Sequence, residues 1–184
     1  ADADASANMG RLTYSQSTLN TMVVQAKQQG YSVELQAVGD AAVASALLAF
    51  EFALFVPGDR AMLTYTQVLG DDLIADIASA GIVCNVQPSF TKPDALLIAQ
   101  RLPKSMHARS YCWKTLMHSG VVVAASSAAP IVSCSPCLFC VLLGIFDAMF
   151  RRAHLALEAL TFAEALATWQ FWLGFGYEFC VCVL

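Results

Sequence analysis

The sequence predicts an α/β protein with a parallel sheet of about four strands and covering helices. Two observations carry that expectation. The strand-like runs are continuous in Val, Ile, Ala and Leu instead of alternating, as expected where both faces of a strand are covered. Each run is also followed by a helix-length pattern, and glycine closes several of those helices.

In chain order, Ala1 to Gly10 is small and polar and is expected to be a disordered tail, with one domain over residues 11–184. Ser15 to Gln29 reads as a helix with Leu19, Met22, Val23 and Ala26 on one face, ended by Gly30. Tyr31 to Val38 is a strand, Gly39 and Asp40 a turn, and Ala41 to Leu54 an apolar helix. Ala61 to Thr66 repeats the strand. Asp71 to Ala80 is a helix whose acidic pair, Asp71 and Asp72, suits its positive end, and Gly81 closes it. Ile82 to Val86 is the third strand. Pro103 to Ser119 contains a helix closed by Gly120, Val121 to Ala125 is the fourth strand, and Leu160 to Trp169 is a helix capped near Thr161 and Glu164. No glycine-rich phosphate loop follows any strand, which argues against nucleotide binding.

Composition narrows the partners. The 184 residues are 58% hydrophobic and 13% charged, with mean hydropathy +0.59, against roughly 25% charged residues in ordinary soluble domains. Ten Lys and Arg residues and a net charge of −4 give no clustered positive surface for nucleic acid. The uncharged stretch from Ser119 to Phe146 is long enough for a bilayer, yet serines and Pro130 and Pro136 interrupt it. A buried strand, a loop and a buried helix explain it better than a membrane span. Seven cysteines without a visible export signal point to reduced thiols and a cytoplasmic setting.

The strand ends are more specific. Gln36-Ala37-Val38-Gly39-Asp40-Ala41-Ala42-Val43 resembles the His-Ala-x-Gly-Asp-x-Ala-Val segment of amidohydrolase family 3, the branch containing N-substituted formamide deformylases. Leu63-Thr64-Tyr65-Thr66-Gln67-Val68-Leu69 is similar to its Ile-Glu-His-x-Gln-x-Leu strand, and Val86-Gln87-Pro88 to its Val-Gln-Pro turn. Tyr111-Cys112-Trp113-Lys114-Thr115-Leu116, Ser126-Ser127-Ala128-Ala129-Pro130-Ile131 and Leu160-Thr161-Phe162-Ala163-Glu164-Ala165-Leu166 resemble further segments in the same order. The resemblance implies the C-terminal half of a TIM-type (β/α)₈ barrel, whose catalytic groups sit at the C-terminal strand ends. It also implies metal-dependent hydrolysis of non-peptide C–N bonds, with zinc or another divalent metal as cofactor.

The departures from the family pattern fall on that chemistry. At the two histidine positions stand Gln36 and Tyr65, and at the catalytic Asp position stands Ala128. An amide oxygen is a poor zinc ligand, a neutral phenol rarely serves, and a methyl group accepts no proton. The resemblance therefore implies hydrolase ancestry with the catalytic set replaced. Gln36, Asp40, Tyr65, Gln87 and Ser127 are expected to line the pocket at the strand ends. An active hydrolase with a non-standard or partner-completed site is the competing reading, and a small membrane-associated protein a third.

Cys134, Cys137 and Cys140 form a CxxCxxC pattern able to hold a metal, but buried thiols acting as small hydrophobes explain it more simply. His107, His118 and His154 lack metal-binding spacing. Half a barrel exposes sheet edges, so a second copy or another chain is expected to cover them.

Overall fold

The structure is a computed structural model that describes residues 11–127, 138–151, 153–174 and 181–183. Its centre is a five-stranded, all-parallel sheet. The strands are β1 (Val33–Ala37), β2 (Met62–Tyr65), β3 (Val83–Val86), β4 (Val123–Ala125) and β5 (Val181–Val183), in the spatial order β4-β3-β2-β1-β5. Eight helices accompany them among the described residues: α1 (Gln16–Gln28), α2 (Asp40–Phe52), α3 (Asp71–Ala80), α4 (Thr91–Arg101), α5 (Lys104–His107), α6 (Trp113–His118), α7 (Leu138–Met149) and α8 (Phe162–Gly174). The strand-helix alternation and the neighbouring order of β1 to β4 are those of a partial TIM-type barrel.

Register explains why the two faces of the sheet differ. Leu35 pairs with Leu63, Leu63 with Cys84, and Cys84 with Val123. Together with Val33, Ala37 and Val86, this row faces the helices and joins Val23, Val43, Phe50, Ile74, Ile77, Trp113 and Leu116 in the main core. The opposite row is different. Met62, Val83 and Ala124 make a separate small apolar cluster, and polar side chains lie above it. The continuous apolar appearance of the strands thus hides a real alternation, seen in β1 as Val33, Leu35, Ala37 against Glu34, Gln36.

Local signals account for most boundaries. Ser15 caps α1 by accepting from Thr18 N at 3.2 Å. Gly81 ends α3 with φ +66°, a left-handed conformation that costs glycine little. Thr161 and Glu164 form a reciprocal capping box: Thr161 N donates to Glu164 Oε2 at 2.8 Å, and Glu164 N to Thr161 Oγ1 at 3.3 Å.

Two elements escape the sequence reading. In α4 the apolar residues Ala95-Leu96-Leu97-Ile98 are consecutive, so no stripe stands out; of the four, Ile98 is buried, whereas Leu96 and Leu97 are exposed. The short strand β5 has too few residues to stand out in the sequence; it pairs in parallel with β1, Val33 opposite Val181 and Leu35 opposite Val183. One of the two strand edges expected to be open is therefore filled by the chain's own residues. At the other edge β4 pairs with β3 alone among the described residues.

Behind β4, Arg151 ties three segments together. Its Nη1 donates to Tyr111 O and to Glu158 O, both at 2.8 Å, and the guanidinium lies 4.3 Å from the Trp113 ring centroid. Glu158 in turn accepts from Thr115 N at 2.9 Å and Thr115 Oγ1 at 2.6 Å, pinning α6. Burial pulls the Arg151 pKa down to about 10, which leaves it charged at neutral pH. Among the described residues no helix is long and apolar enough to cross a membrane.

Candidate functional site

The C-terminal ends of the parallel strands gather the polar residues that the sequence singles out. On β1, Gln36 is exposed and Glu34, two residues earlier on the same face, is buried. On β2, Thr64 pairs in register with Gln36, and on β3 Asn85 pairs with Thr64. Glu34 Oε1 accepts from the Thr64 hydroxyl and, at 2.7 Å, from Asn85 Nδ2. Gln87 is buried just beyond β3, where its Nε2 donates to Asn85 O and to Ser126 Oγ, both at 3.1 Å. The result is a connected polar row, Glu34–Thr64–Asn85–Gln87–Ser126, above the small apolar cluster.

Strain is concentrated beside this row. Tyr65 (φ +79°) and Thr66 (φ +41°) are consecutive non-glycine residues in the left-handed region, each at a cost of about 1–3 kcal/mol. The neighbouring backbone holds them there. Thr66 N donates to Ala37 O at 2.9 Å, Tyr111 N to Gln67 O at 2.7 Å, and Leu69 N to Arg109 O at 3.1 Å. Tyr111 also has positive φ, +53°, and its phenol donates to Asp94. Burial and the adjacent carboxylate keep that phenol protonated far above its ordinary range. The half-buried Tyr65 ring meets Phe90 edge-on, with centroids 5.7 Å apart.

The sequence-selected residues are not all brought into one cluster. Gln36 and Gln87 belong to the polar face, and Tyr65 stands at the strained end of β2. Asp40 is exposed in the first turn of α2, where its Oδ1 accepts from Ala41 N at 2.7 Å. Ser127 is half-buried just past β4. Ala128 and the side chains of Cys134, Cys137 and Cys140 lie outside the described residues. So does the side chain of His154. His107 Nε2 contacts Leu102 O at 3.0 Å near a helix end, and His118 lies 3.5 Å from Glu164 Oε1. Sequence reasoning missed Glu34, Thr64, Asn85 and Ser126. Counting back two residues from Gln36 reaches Glu34, and pairing register then supplies the others.

This geometry coincides with wider similarity. The model of a family described as "Amidohydrolase family" matches residues 3–170. The chain belongs to the amidohydrolase family. YtcJ of Bacillus subtilis (strain 168), described as an amidohydrolase, is 33% identical over 150 residues, covering 82% of this chain and 27% of YtcJ. An uncharacterized metal-dependent hydrolase from Pyrococcus furiosus superposes with a TM-score of 0.73 at 25% identity, covering 85% of this chain and 31% of that one. Another from Pyrococcus horikoshii OT3 gives 0.74 at 23% identity, covering 87% and 32%, a likeness of fold. The chain thus spans about a third or less of the length of these relatives.

An amidohydrolase that activates water needs a divalent ion held by imidazoles or carboxylates. The residues at this site do not fit one. Gln36 offers an amide, Tyr65 a neutral phenol turned against Phe90, and Glu34 already has Oε1 engaged by two donors. Among the described residues no group of three or more His, Cys, Asp and Glu side chains is placed to share an ion.

Proposed function

We propose that this chain is an amidohydrolase-family barrel section that does not perform metal-dependent hydrolysis of amide or N-formyl bonds, and that it acts through association. The observation that carries this reading is the pair Gln36 and Tyr65 at the ends of β1 and β2, with Tyr65 half-buried against Phe90. Neither side chain lowers the pKa of a bound water, and neither is a base at neutral pH. The N-substituted formamide deformylase branch is the ancestry that the sequence motifs favour.

Association is supported by the apolar surface. Leu48 and Phe52 on α2, followed by Leu54 and Val56, are 54%, 64%, 78% and 58% exposed. Val122, just before β4 at the sheet edge formed by the described residues, is half exposed. A second copy or another chain covering these groups removes them from water. A cytoplasmic setting with reduced thiols agrees with the buried free Cys84 and Cys112.

The test is metal content and turnover on the same purified sample. Elemental analysis is expected to find no stoichiometric zinc, iron or manganese, and N-formyl and N-acyl amines are expected to remain intact with each metal added. Stoichiometric metal together with amide hydrolysis overturns the reading. Light scattering on that sample is expected to give an oligomer, and a monodisperse monomer counts against association.

A further inference from the structure

We infer that the polar face at the strand ends is a binding site for a small organic cation bearing N–H donors, an alkylammonium or guanidinium group. Glu34 is 5% exposed and forms no ion pair among the described residues. Its hydrogen bonds from Thr64 and Asn85 both converge on Oε1, leaving Oε2 with no donor among the described residues. Two neutral donors offset part of the cost of burying a carboxylate, but they do not neutralise it.

A second, independent observation points the same way. Gln87 is 3% exposed, all three of its donor contacts use Nε2, and its buried Oε1 has no partner. An amide oxygen left unmade in a protein interior costs about 1–3 kcal/mol. Asn85 links the two groups, with Nδ2 at 2.7 Å from Glu34 and Oδ1 at 3.5 Å from Gln87 Nε2. The face therefore holds an unneutralised carboxylate and an unpaired carbonyl-type oxygen joined through one side chain. The exposed Gln36, on the same face of β1 as Glu34, marks the side open to solvent.

That acceptor set selects its guest. An anion is repelled by Glu34. A hydroxyl compound supplies hydrogen bonds but no countercharge. A quaternary ammonium supplies charge but no N–H for Gln87. An ammonium or guanidinium group supplies both, and it needs neither an imidazole nor a thiolate. The inference is independent of the loss of hydrolysis, because metal content and turnover test that reading and cation titration tests this one.

The experiment titrates the full chain with methylammonium, guanidinium at non-denaturing concentration and tetramethylammonium, following binding heat and the side-chain amide signals of Asn85 and Gln87 by NMR. Methylammonium or guanidinium is expected to bind and shift both amides, while tetramethylammonium binds at least tenfold more weakly. Glu34→Gln, which can still accept from Asn85, is expected to lose at least tenfold in affinity with an unchanged circular dichroism spectrum. Gln87→Met provides a second variant with the same expected direction. Absence of binding to the wild-type chain, equal binding of tetramethylammonium, or undiminished affinity in a folded Glu34→Gln or Gln87→Met variant overturns the inference.

Discussion

Replacing Gly81 by alanine separates two costs that the structure assigns to different atoms. Gly81 ends α3 with φ +66°, and a Cβ there would lie 2.8 Å from Pro57 Cβ and 2.9 Å from Pro57 Cγ. The backbone conformation alone costs an alanine about 1–2 kcal/mol. Forcing a methyl group against a proline ring adds about 1–3 kcal/mol, because the ring has no rotamer that moves it away. Gly30 is the internal control. It has φ +79°, but nothing lies within 4 Å of its Cβ position. Gly30→Ala is therefore expected to cost about 1–2 kcal/mol and Gly81→Ala about 2–5 kcal/mol. Urea unfolding with an unchanged m-value measures both. Adding Pro57→Gly, which removes both of these ring atoms, to each glycine variant completes a double-mutant cycle, with the coupling expected for Gly81 and absent for Gly30. Equal losses in the two single variants, or no coupling between Gly81 and Pro57, refute the reasoning.

Gly144 in α7 presents the same issue inside a helix, where alanine is intrinsically favoured by about 1 kcal/mol. Its Cβ would run into Trp169 Cζ2 on α8, so Gly144→Ala is expected to destabilise the chain by about 1–3 kcal/mol despite propensity; unchanged or raised stability in urea unfolding counts against this packing. Burial pushes the Cys84 and Cys112 thiols up to about 12 each. Peptide mapping after iodoacetamide at pH 8 is expected to find both unmodified in the native chain and both modified in denaturant. Backbone and side-chain hydrogen bonds from Thr161 hold the Glu164 carboxyl below its reference value of 4.5. The unfolded chain then binds more protons than the folded one in that range, so the box stabilises at pH above 4.5 and its contribution is lost as pH falls towards the lower folded value. Thr161→Ala is expected to flatten that part of the stability-against-pH curve, and an unchanged slope argues against it.

Much of the fold was legible because its signals are local. Glycines after α1, α3 and α6 mark helix ends, and the apolar runs at Leu35, Leu63, Val83 and Val123 mark covered strands. The helix α4 was hidden because Ala95 to Ile98 are all apolar, and only packing decides that Ile98 turns inwards. The fifth strand was hidden because three residues, Val181 to Val183, become a strand through pairing with β1. Short strands owe their stability to the neighbour they pair with, which a linear pattern does not contain.

By itself the sequence determined the α/β alternation and the family, because residue identity and order suffice for each. Tertiary structure decided which side chains share a face. Glu34, Thr64, Asn85, Gln87 and Ser126 lie up to 92 positions apart (126 − 34), yet parallel register brings their polar atoms into one hydrogen-bonded row. It also decided the backbone at Tyr65 and Thr66, where left-handed conformations persist because Ala37, Arg109 and Tyr111 hold the surrounding chain through hydrogen bonds. Both depend on contacts between distant segments, whose energies exist only once the sheet has closed the distance.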